Sequence, residues 1–189
     1  MSMLHAVLAR LRRHSPRRVD AQDGYARWAP LYAATPHNAV MSAEASAVES
    51  VVRRLTPTRA LDAGTGTGRN LRLLRGVGAH MVVGLDLSAP MLQRVATEHA
   101  RRVRGDAMRL PFQDGCFDLV TSSLMCGDVP ELDEWIGEAA RLRSGGHLVI
   151  RISIRPGLAK DGAGRSRRHQ AGPSSCRCIH MRSTSIGGA

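Results

Sequence analysis

The stretch ALDAGTGTG at residues 60–68 decides the fold. It begins as a short apolar strand that ends at Asp62, and it continues as a loop in which Gly64, Gly66 and Gly68 alternate with threonine. A helix with an apolar face follows the last glycine. A glycine loop in this position lets backbone N–H groups approach a ligand closely, at a helix N-terminus that favours anions. The stretch therefore predicts a ligand-binding unit of strand, loop and helix.

The alternation of strand and helix continues along the chain. Four more short apolar strands are predicted, at Met81–Leu85, Val103–Gly105, Phe117–Thr121 and His147–Ile150. Helices are predicted from Ser42 to the residue before Pro57, from Ser88 with Pro90 in its first turn, and from Glu131 to Leu142. Five strands alternating with helices predict an α/β fold, a Rossmann-like, doubly wound and mostly parallel sheet.

The composition is that of one globular domain. The chain has 189 residues, of which 43 % are hydrophobic and 23 % charged. Aromatic residues make up only 3 %, so stacking platforms for bases or sugars are not expected. The four cysteines lack the spacing of zinc ligands, and no metal site is predicted. No apolar run is long enough to span a membrane, and the run at 3–9 is too short for a secretory signal, which predicts a cytoplasmic protein.

The net charge of +11 belongs to the two ends of the chain. Residues 1–18 carry five arginines and no acid, for +5, and residues 151–189 carry seven arginines and a lysine against one aspartate, for +7. Residues 19–150 carry 14 arginines against 15 acids, for −1. A basic end can touch phosphate or acidic lipid. Because the body is near neutral, the charge argues against a nucleic-acid partner.

The glycine loop does not match the usual phosphate-binding motifs. In the dinucleotide fingerprint G-x-G-x-x-G, the third glycine is replaced by Arg69 in one register and by Leu71 in the other. A P-loop is excluded because no Gly-Lys-Ser/Thr ending follows. Acids instead end the first three predicted strands, at Asp62, Asp86 and Asp106. Three such acids suit a ligand with a positive end, a ribose diol and an adenine edge, whereas a pyrophosphate would be repelled by Asp62.

Five motifs together resemble the class I S-adenosylmethionine-dependent methyltransferases. They are LDAGTGTG at 61–68, GLDLSAPML at 84–92, GDAMRLPF at 105–112, FDLV at 117–120 and RSGG at 143–146. The order and spacing match that family over about residues 25–150. The sequence is most similar to the small-molecule branch with a methyltransferase type 11 domain, which includes the malonyl-carrier-protein O-methyltransferases.

The resemblance implies S-adenosylmethionine as cofactor, with its methionine part around the glycine loop. Gly64, Gly66 and Gly68 would wrap this part, and Asp62 would lie near its amino group. Tyr25 would close over its carboxylate. Arg69 has no fixed role in the family, and we predict that it lies on the surface.

The resemblance also assigns residues to the nucleoside and the sulfonium. Asp86 would accept both ribose hydroxyls, and Leu87 and Met91 would pack beside adenine and ribose. Asp106 and Ala107 would contact the adenine amino edge. Ser122 and Leu124 would lie under the sulfonium.

The implied activity is methyl transfer to a small-molecule or carrier-bound acceptor. The acceptor site would form from the lid at Tyr25–His37, the segment Met125–Val129 and the residues after Ile150. We name no catalytic residue, since His37 and Asp128 are only candidates for a general base. A cofactor-binding relic without turnover is an alternative, and a nucleic-acid methyltransferase is a further one. The sequence names neither the acceptor nor an oligomeric state.

The predicted domain organisation has three parts. Residues 1–40 form a basic amphipathic helix and the lid segment, residues 41–150 form the S-adenosylmethionine-binding domain, and residues 151–189 form an irregular basic tail. The family ends its sheet with two further strands, and no such strand is predicted in the tail. A change of reading frame near residue 149 or 150 is our hypothesis for this, because residues 150–155 can be encoded by codons that give Tyr-Ser-Asp-Phe-His-Pro when they are read one nucleotide earlier with a T in front. We accordingly expect the fifth strand to be an unpaired edge.

Overall fold

The structure is a computed structural model that describes residues 21–123, 125, 129, 131–152 and 177–182. The predicted N-terminal helix, Leu124 and Asp128 lie outside these residues. The helices are α1 Ala21–Trp28, which continues into a 3₁₀ turn at Ala29–Leu31, α2 Ala39–Val52, α3 Leu71–Gly76, α4 Ala89–Leu92 and α5 Leu132–Arg141. The strands are β1 Arg59–Ala63, β2 Met81–Asp86, β3 Arg101–Arg104, β4 Phe117–Ser123, β5 Arg143–Ile152 and β6 Arg177–Arg182.

The strands form one sheet in the order β3-β2-β1-β4-β5-β6. Strands β1 to β5 are parallel, with Leu61 of β1 opposite Val83 on one side and Val120 on the other. The chain order reverses direction at β1, so the carboxyl ends of β1 and β4 flank a topological switch point. The predicted five-strand parallel sheet is confirmed.

Helices cover both faces of the sheet, as a doubly wound fold requires. Successive residues of a strand point to opposite faces, so Ala60 and Leu61 enter different cores. On one face, Val52 of α2 and Leu74 of α3 are completely buried. On the other face, Trp135 of α5 is completely buried. These two apolar layers hold the sheet rigid beneath the loops at its carboxyl edge.

The expectation that residues 151–189 contain no strand is wrong for β6. This strand pairs antiparallel with β5, from His147 opposite Arg182 to Ile152 opposite Arg177. The open side of β5 presents N–H and C=O groups that need partners, and the six residues of β6 supply them. The fifth strand is therefore not an edge, although β6 carries only two strongly apolar residues to signal it in the sequence.

Helix starts and the edge strand also differ from expectation. Helix α2 begins at Ala39, three residues before the predicted start, because the Asn38 side chain accepts a 2.9 Å hydrogen bond from the backbone N–H of Met41. Ser88 precedes α4 but makes no side-chain cap, and α4 has only four residues. Strand β3 lies two residues earlier than predicted, with mostly exposed residues that fit the sheet edge. No helix in the described part of the chain is long and apolar enough to cross a bilayer.

Candidate functional site

A cavity of about 300 Å³ lies at the carboxyl edge of β1, β2 and β3, beneath α1. This volume is within the range of small-molecule sites. Eight of the predicted site residues line it: Tyr25, Gly64, Gly66, Asp86, Leu87, Met91, Asp106 and Ala107. Residues from three separate motifs and from the lid segment thus meet in one place.

The glycine loop is fastened to the end of β2. The backbone N–H groups of Gly64 and Thr65 both donate to the carbonyl oxygen of Leu85, each at 2.9 Å. Gly64 has a φ of 71° and Gly66 a φ of 56°, a region that favours glycine. A Cβ at Gly64 would lie 2.7 Å from the sulfur of Met125, whereas a Cβ at Gly66 would meet no heavy atom within 4 Å. Gly64 is therefore required for close packing against Met125, whereas the absence of a side chain at Gly66 keeps space in the cavity free.

Asp86 faces the cavity with its carboxylate already oriented. One oxygen accepts a 2.8 Å hydrogen bond from the backbone N–H of Gly66, and the other accepts one of the same length from Ser88. A carboxylate has room for about four hydrogen bonds, so each oxygen can still accept from a ligand hydroxyl. Burial raises the pKa of Asp86, while the bonds from Ser88 and Gly66 act in the opposite direction.

Asp106 follows β3 on the same edge of the sheet. Its Oδ1 accepts a 2.9 Å hydrogen bond from the backbone N–H of Met108, which turns the chain and brings Ala107 and Met108 to the cavity wall. The two carboxylates therefore stand at the ends of neighbouring strands, β2 and β3. Both can accept hydrogen bonds from one extended ligand.

Asp62 lies behind the glycine loop and does not line the cavity. Its two oxygens accept hydrogen bonds from the hydroxyls of Thr65 at 2.8 Å and Thr121 at 2.7 Å, and from Asn70 at 3.4 Å. Burial raises the pKa of this carboxyl group, against the effect of those bonds. The geometry gives Asp62 the task of tying the loop to β1 and β4.

Gly68 and Ser122 are also absent from the cavity wall. A Cβ at Gly68 would lie 2.9 Å from Leu71 and 3.2 Å from Val95, so this glycine serves the packing of the helix that follows. Ser122 is completely buried. Because side chains alternate along a strand, the neighbouring Ser123 lines the cavity instead.

Arg69, predicted on the surface, is a lining residue of the cavity. Only 13 % of its side chain is exposed, and its Nη1 lies 3.4 Å from Oε2 of Glu44 on α2. Glu44 is itself buried, and its other oxygen has no hydrogen-bond partner among the described residues. The sequence prediction failed because a single arginine after the glycine loop carries no signal of the acid that α2 brings to it.

The sequence analysis assigned no role to the other cavity residues, although half of them lie inside the quoted motifs. They are Gln22, Tyr32, Thr65, Leu85, Ser88, Gly105, Met108, Ser123, Met125 and Val129. Tyr32, Met125 and Val129 do fall within the segments predicted for the acceptor site. Ser88 could have been found as the neighbour of Asp86, since Asx turns use the residue two positions on.

The lid segment lies over the cavity. Tyr25 and Tyr32 line it, and Trp28 between them contacts both rings, at centroid distances of 6.3 and 5.8 Å. The Thr67 hydroxyl donates a 3.3 Å hydrogen bond to the carbonyl of Ala33, which ties the lid to the glycine loop. His37, a candidate base, packs edge-on against Tyr32 and is not a lining residue.

The donor and acceptor groups suit the cofactor implied by the sequence. Asp86 offers two oxygens to a diol, Asp106 offers acceptors to an amino group, and Leu87 and Met91 supply apolar contact between them. Three or more histidine, cysteine, aspartate or glutamate side chains do not come together as a metal site anywhere in the described ranges. The same cavity is also lined by the guanidinium of Arg69.

Comparison with known proteins agrees with this geometry. Residues 61–150 match the methyltransferase domain family. The demethylmenaquinone methyltransferase of Mycolicibacterium vanbaalenii is 40 % identical over 99 residues, which are 51 % of this chain and 43 % of that protein. The malonyl-[acyl-carrier protein] O-methyltransferase of Pectobacterium atrosepticum is 36 % identical over 99 residues, 51 % of this chain and 39 % of that protein. The matched part of this chain therefore covers less than half the length of each of these curated relatives.

Solved structures give the same result. An S-adenosylmethionine-dependent methyltransferase from Thermotoga maritima superimposes with a TM-score of 0.51 at 25 % identity, over 71 % of this chain and 59 % of that one. The motifs, the sheet order and these matches agree on the same region. Residues 61–150 of this chain therefore match the methyltransferase domain family in the region where their motifs predict it.

Proposed function

We propose that this protein transfers a methyl group from S-adenosylmethionine to a small-molecule or carrier-bound acceptor. The observation that carries the proposal is the convergence of Gly64, Gly66, Asp86 and Asp106 on one cavity, inside a domain that matches the methyltransferase family. Asp86 would hold the ribose hydroxyls, and Asp106 with Ala107 the adenine edge. Leu87 and Met91 would cover the nucleoside.

The residues of this chain have a limited chemical task in such a reaction. S-adenosylmethionine supplies a methyl group on a positively charged sulfur, which is already activated for transfer. The protein must align the acceptor and exclude water, which can supply about 7–11 kcal/mol of the barrier. Tyr25, Tyr32 and Met125 stand where they can exclude water from the cavity. A carboxylate, thiolate or amine acceptor needs no further help, whereas a hydroxyl or carbon acceptor needs a general base.

The acceptor class follows from the relatives and the lid. The matched relatives are named for a quinone precursor and for a carrier-bound acid. The described lining residues of the segments that would meet an acceptor, Tyr32, Met125 and Val129, are apolar or aromatic. These features support an acceptor with a substantial apolar part.

The alternative of a cofactor-binding relic is less well supported. The glycine loop, Asp86 and Asp106 keep the geometry needed for a nucleoside, and β6 covers the side of the sheet that the relic alternative leaves open. Nothing in the described cavity has collapsed onto the site. A nucleic-acid methyltransferase is also less well supported, since Arg69 is the one cation among the described lining residues of the cavity.

A thermal melt of the full chain with S-adenosylhomocysteine tests the cofactor assignment. Ligand at one hundred times its dissociation constant should add about 2.7 kcal/mol, which is worth several degrees for a domain of this size. Transfer of labelled methyl from S-adenosylmethionine to a panel of carrier-bound acids and quinols then tests turnover. An unmoved cooperative melt contradicts the proposal, and binding without transfer to any panel member is the result expected of a relic.

A further inference from the structure

The charges on the cavity wall are arranged along its length. Asp106 and Asp86 stand at the ends of β3 and β2, the outer strands of this half of the sheet. Arg69 stands beyond β1 at the opposite end, and it is the one cationic side chain among the described lining residues. A ligand that spans the cavity therefore meets acceptors at one end and a guanidinium at the other.

Arg69 is held for binding rather than left to solvent. Only 13 % of its side chain is exposed, and Glu44, with 2 % exposed, anchors Nη1 through an ion pair of 3.4 Å. A guanidinium has five N–H donors in a fixed plane, and this single long contact uses one of them. A carboxylate accepts two such donors side by side with favourable geometry.

Glu44 fixes the direction of that guanidinium. It projects from α2 and is buried, which raises the pKa of its carboxyl group, and the positive charges of Arg69 and Arg151 oppose that rise. Its Oε1 has no hydrogen-bond partner in the described part of the chain. Glu44 interacts with Ser123 as well, and its ion pair with Arg69 is the contact that reaches a charged group of the cavity wall.

The acid expected to meet the amino-acid end of the cofactor is engaged elsewhere. Both oxygens of Asp62 are taken up by Thr65, Thr121 and Asn70 behind the loop. Recognition of that end therefore falls to groups on the cavity wall. Several lining residues can donate a hydrogen bond to an anion, and Arg69 is the one among the described lining residues that also carries a positive charge.

We propose that Arg69 binds the α-carboxylate of S-adenosylmethionine and that Glu44 is its positioning residue. This inference rests on the proposed function, because the orientation of the ligand follows from Asp86 and Asp106 holding the nucleoside. The α-carboxylate is the only anionic group of that cofactor. With the nucleoside at β2 and β3, it reaches the end of the cavity where Arg69 stands.

Two ligands that differ in the amino-acid end test the proposal. S-adenosylhomocysteine carries the carboxylate, whereas 5′-methylthioadenosine has the same nucleoside and sulfur without it. The affinity of the full chain for each ligand is measured by calorimetric titration. Arg69→Gln should lower the affinity for S-adenosylhomocysteine by about 10- to 100-fold, because hydrogen bonds to a charged group are lost. The affinity for methylthioadenosine should stay within about twofold of the wild type. Arg72→Gln, which removes an exposed arginine three residues away, is the matched control and should change neither.

Folding defects are separated from binding by the ratio of the two affinities. Arg69→Gln leaves Glu44 without its ion pair, and a lower folded fraction would reduce the titration stoichiometry for both ligands alike. The double variant Arg69→Gln with Glu44→Gln removes the unpaired charge and is titrated in the same way. Glu44→Gln alone should cause a smaller loss that is also confined to S-adenosylhomocysteine. Equal losses for both ligands, or none for either, overturn the proposal for Arg69. A wild-type chain that binds neither ligand overturns the proposed function itself.

Discussion

The backbone N–H of Gly66 donates a 2.8 Å hydrogen bond to Oδ2 of Asp86, across 20 positions of sequence. The bond joins the glycine loop after β1 to the end of β2, and the other oxygen of Asp86 is held by Ser88. The same carboxylate thus fixes the loop and faces the cavity. A ligand that binds Asp86 is bound to both strands at once.

Asp86→Asn should therefore strongly weaken the binding of S-adenosylhomocysteine. The amide keeps the shape, but it replaces one acceptor oxygen with a donor that must face a backbone N–H or a ligand hydroxyl, at a cost of about 1–3 kcal/mol for each lost bond. We expect at least about a tenfold rise in the dissociation constant, measured by calorimetry. Asp133→Asn, on the exposed side of α5, is the control. Unchanged affinity in Asp86→Asn would show that the carboxylate does not contact the ligand.

The two glycines at 66 and 68 should respond differently to alanine. Both have positive φ, so each substitution carries about 1–2 kcal/mol of backbone strain. A Cβ at Gly68 also collides with Leu71 and Val95, whereas one at Gly66 enters open space beside the cavity. We expect Gly68→Ala to lower the melting temperature further, and Gly66→Ala to lose more ligand affinity. Thermal melts with and without S-adenosylhomocysteine measure both, and the reverse order would contradict the assignment of Gly66 to the site.

Glu44 should make stability depend on pH in a specific direction. Burial raises its pKa above the ordinary value of about 4. Just above that value the unfolded chain has released a proton that the folded chain still holds, so stability falls as pH rises through the raised pKa. The stability of Glu44→Gln relative to the wild type should therefore increase from about pH 4 to pH 7, as measured by urea unfolding. Glu49→Gln, on the exposed side of α2, is the control for replacing a glutamate of this helix.

Gly146 should be irreplaceable for a reason unrelated to the cavity. It lies in β5 opposite an irregular register of β4, and a Cβ there would overlap the backbone carbonyl of Asp118. Overpacking against backbone costs about 1–3 kcal/mol or more, so Gly146→Ala should lower the melting temperature by several degrees. Gly137→Ala in α5 has open space around it and should be neutral or stabilise by up to about 1 kcal/mol. A stable Gly146→Ala would mean that β5 and β4 are further apart than the structure has them.

The sequence predicts those features that depend on short-range patterns. The strand that ends at Asp62, the loop with Gly64 and Gly66, and Asp86 at the next strand end are local signals, and the parallel sheet follows from their alternation. The partners of these groups could not be predicted, because Asp62 meets Thr121 and Arg69 meets Glu44 only after the chain has folded. Strand β6 was missed because its pairing depends on the exposed edge of β5 more than on its own residues.

Arg151 gives the predicted change of reading frame a structural test. Its side chain is completely buried on β5, and its three guanidinium nitrogens have no hydrogen-bond partner among the described residues. An unpaired buried cation costs several kcal/mol, and the alternative frame would place serine at this position. We propose that the arginine results from that change of frame.

Arg151→Ser should then raise the melting temperature, by about 2–4 °C for each kcal/mol recovered. The charge of Glu44 attracts Arg151 from α2, so the gain should be larger when Glu44→Gln is also present. Arg53→Ser, which removes an arginine with 63 % of its side chain exposed, should change the free energy of unfolding by no more than about 0.5 kcal/mol. A lower melting temperature for Arg151→Ser would mean that Arg151 stabilises the fold as it stands. Resequencing the locus gives an independent check, since an unbroken frame that encodes the same tail would exclude the change of frame.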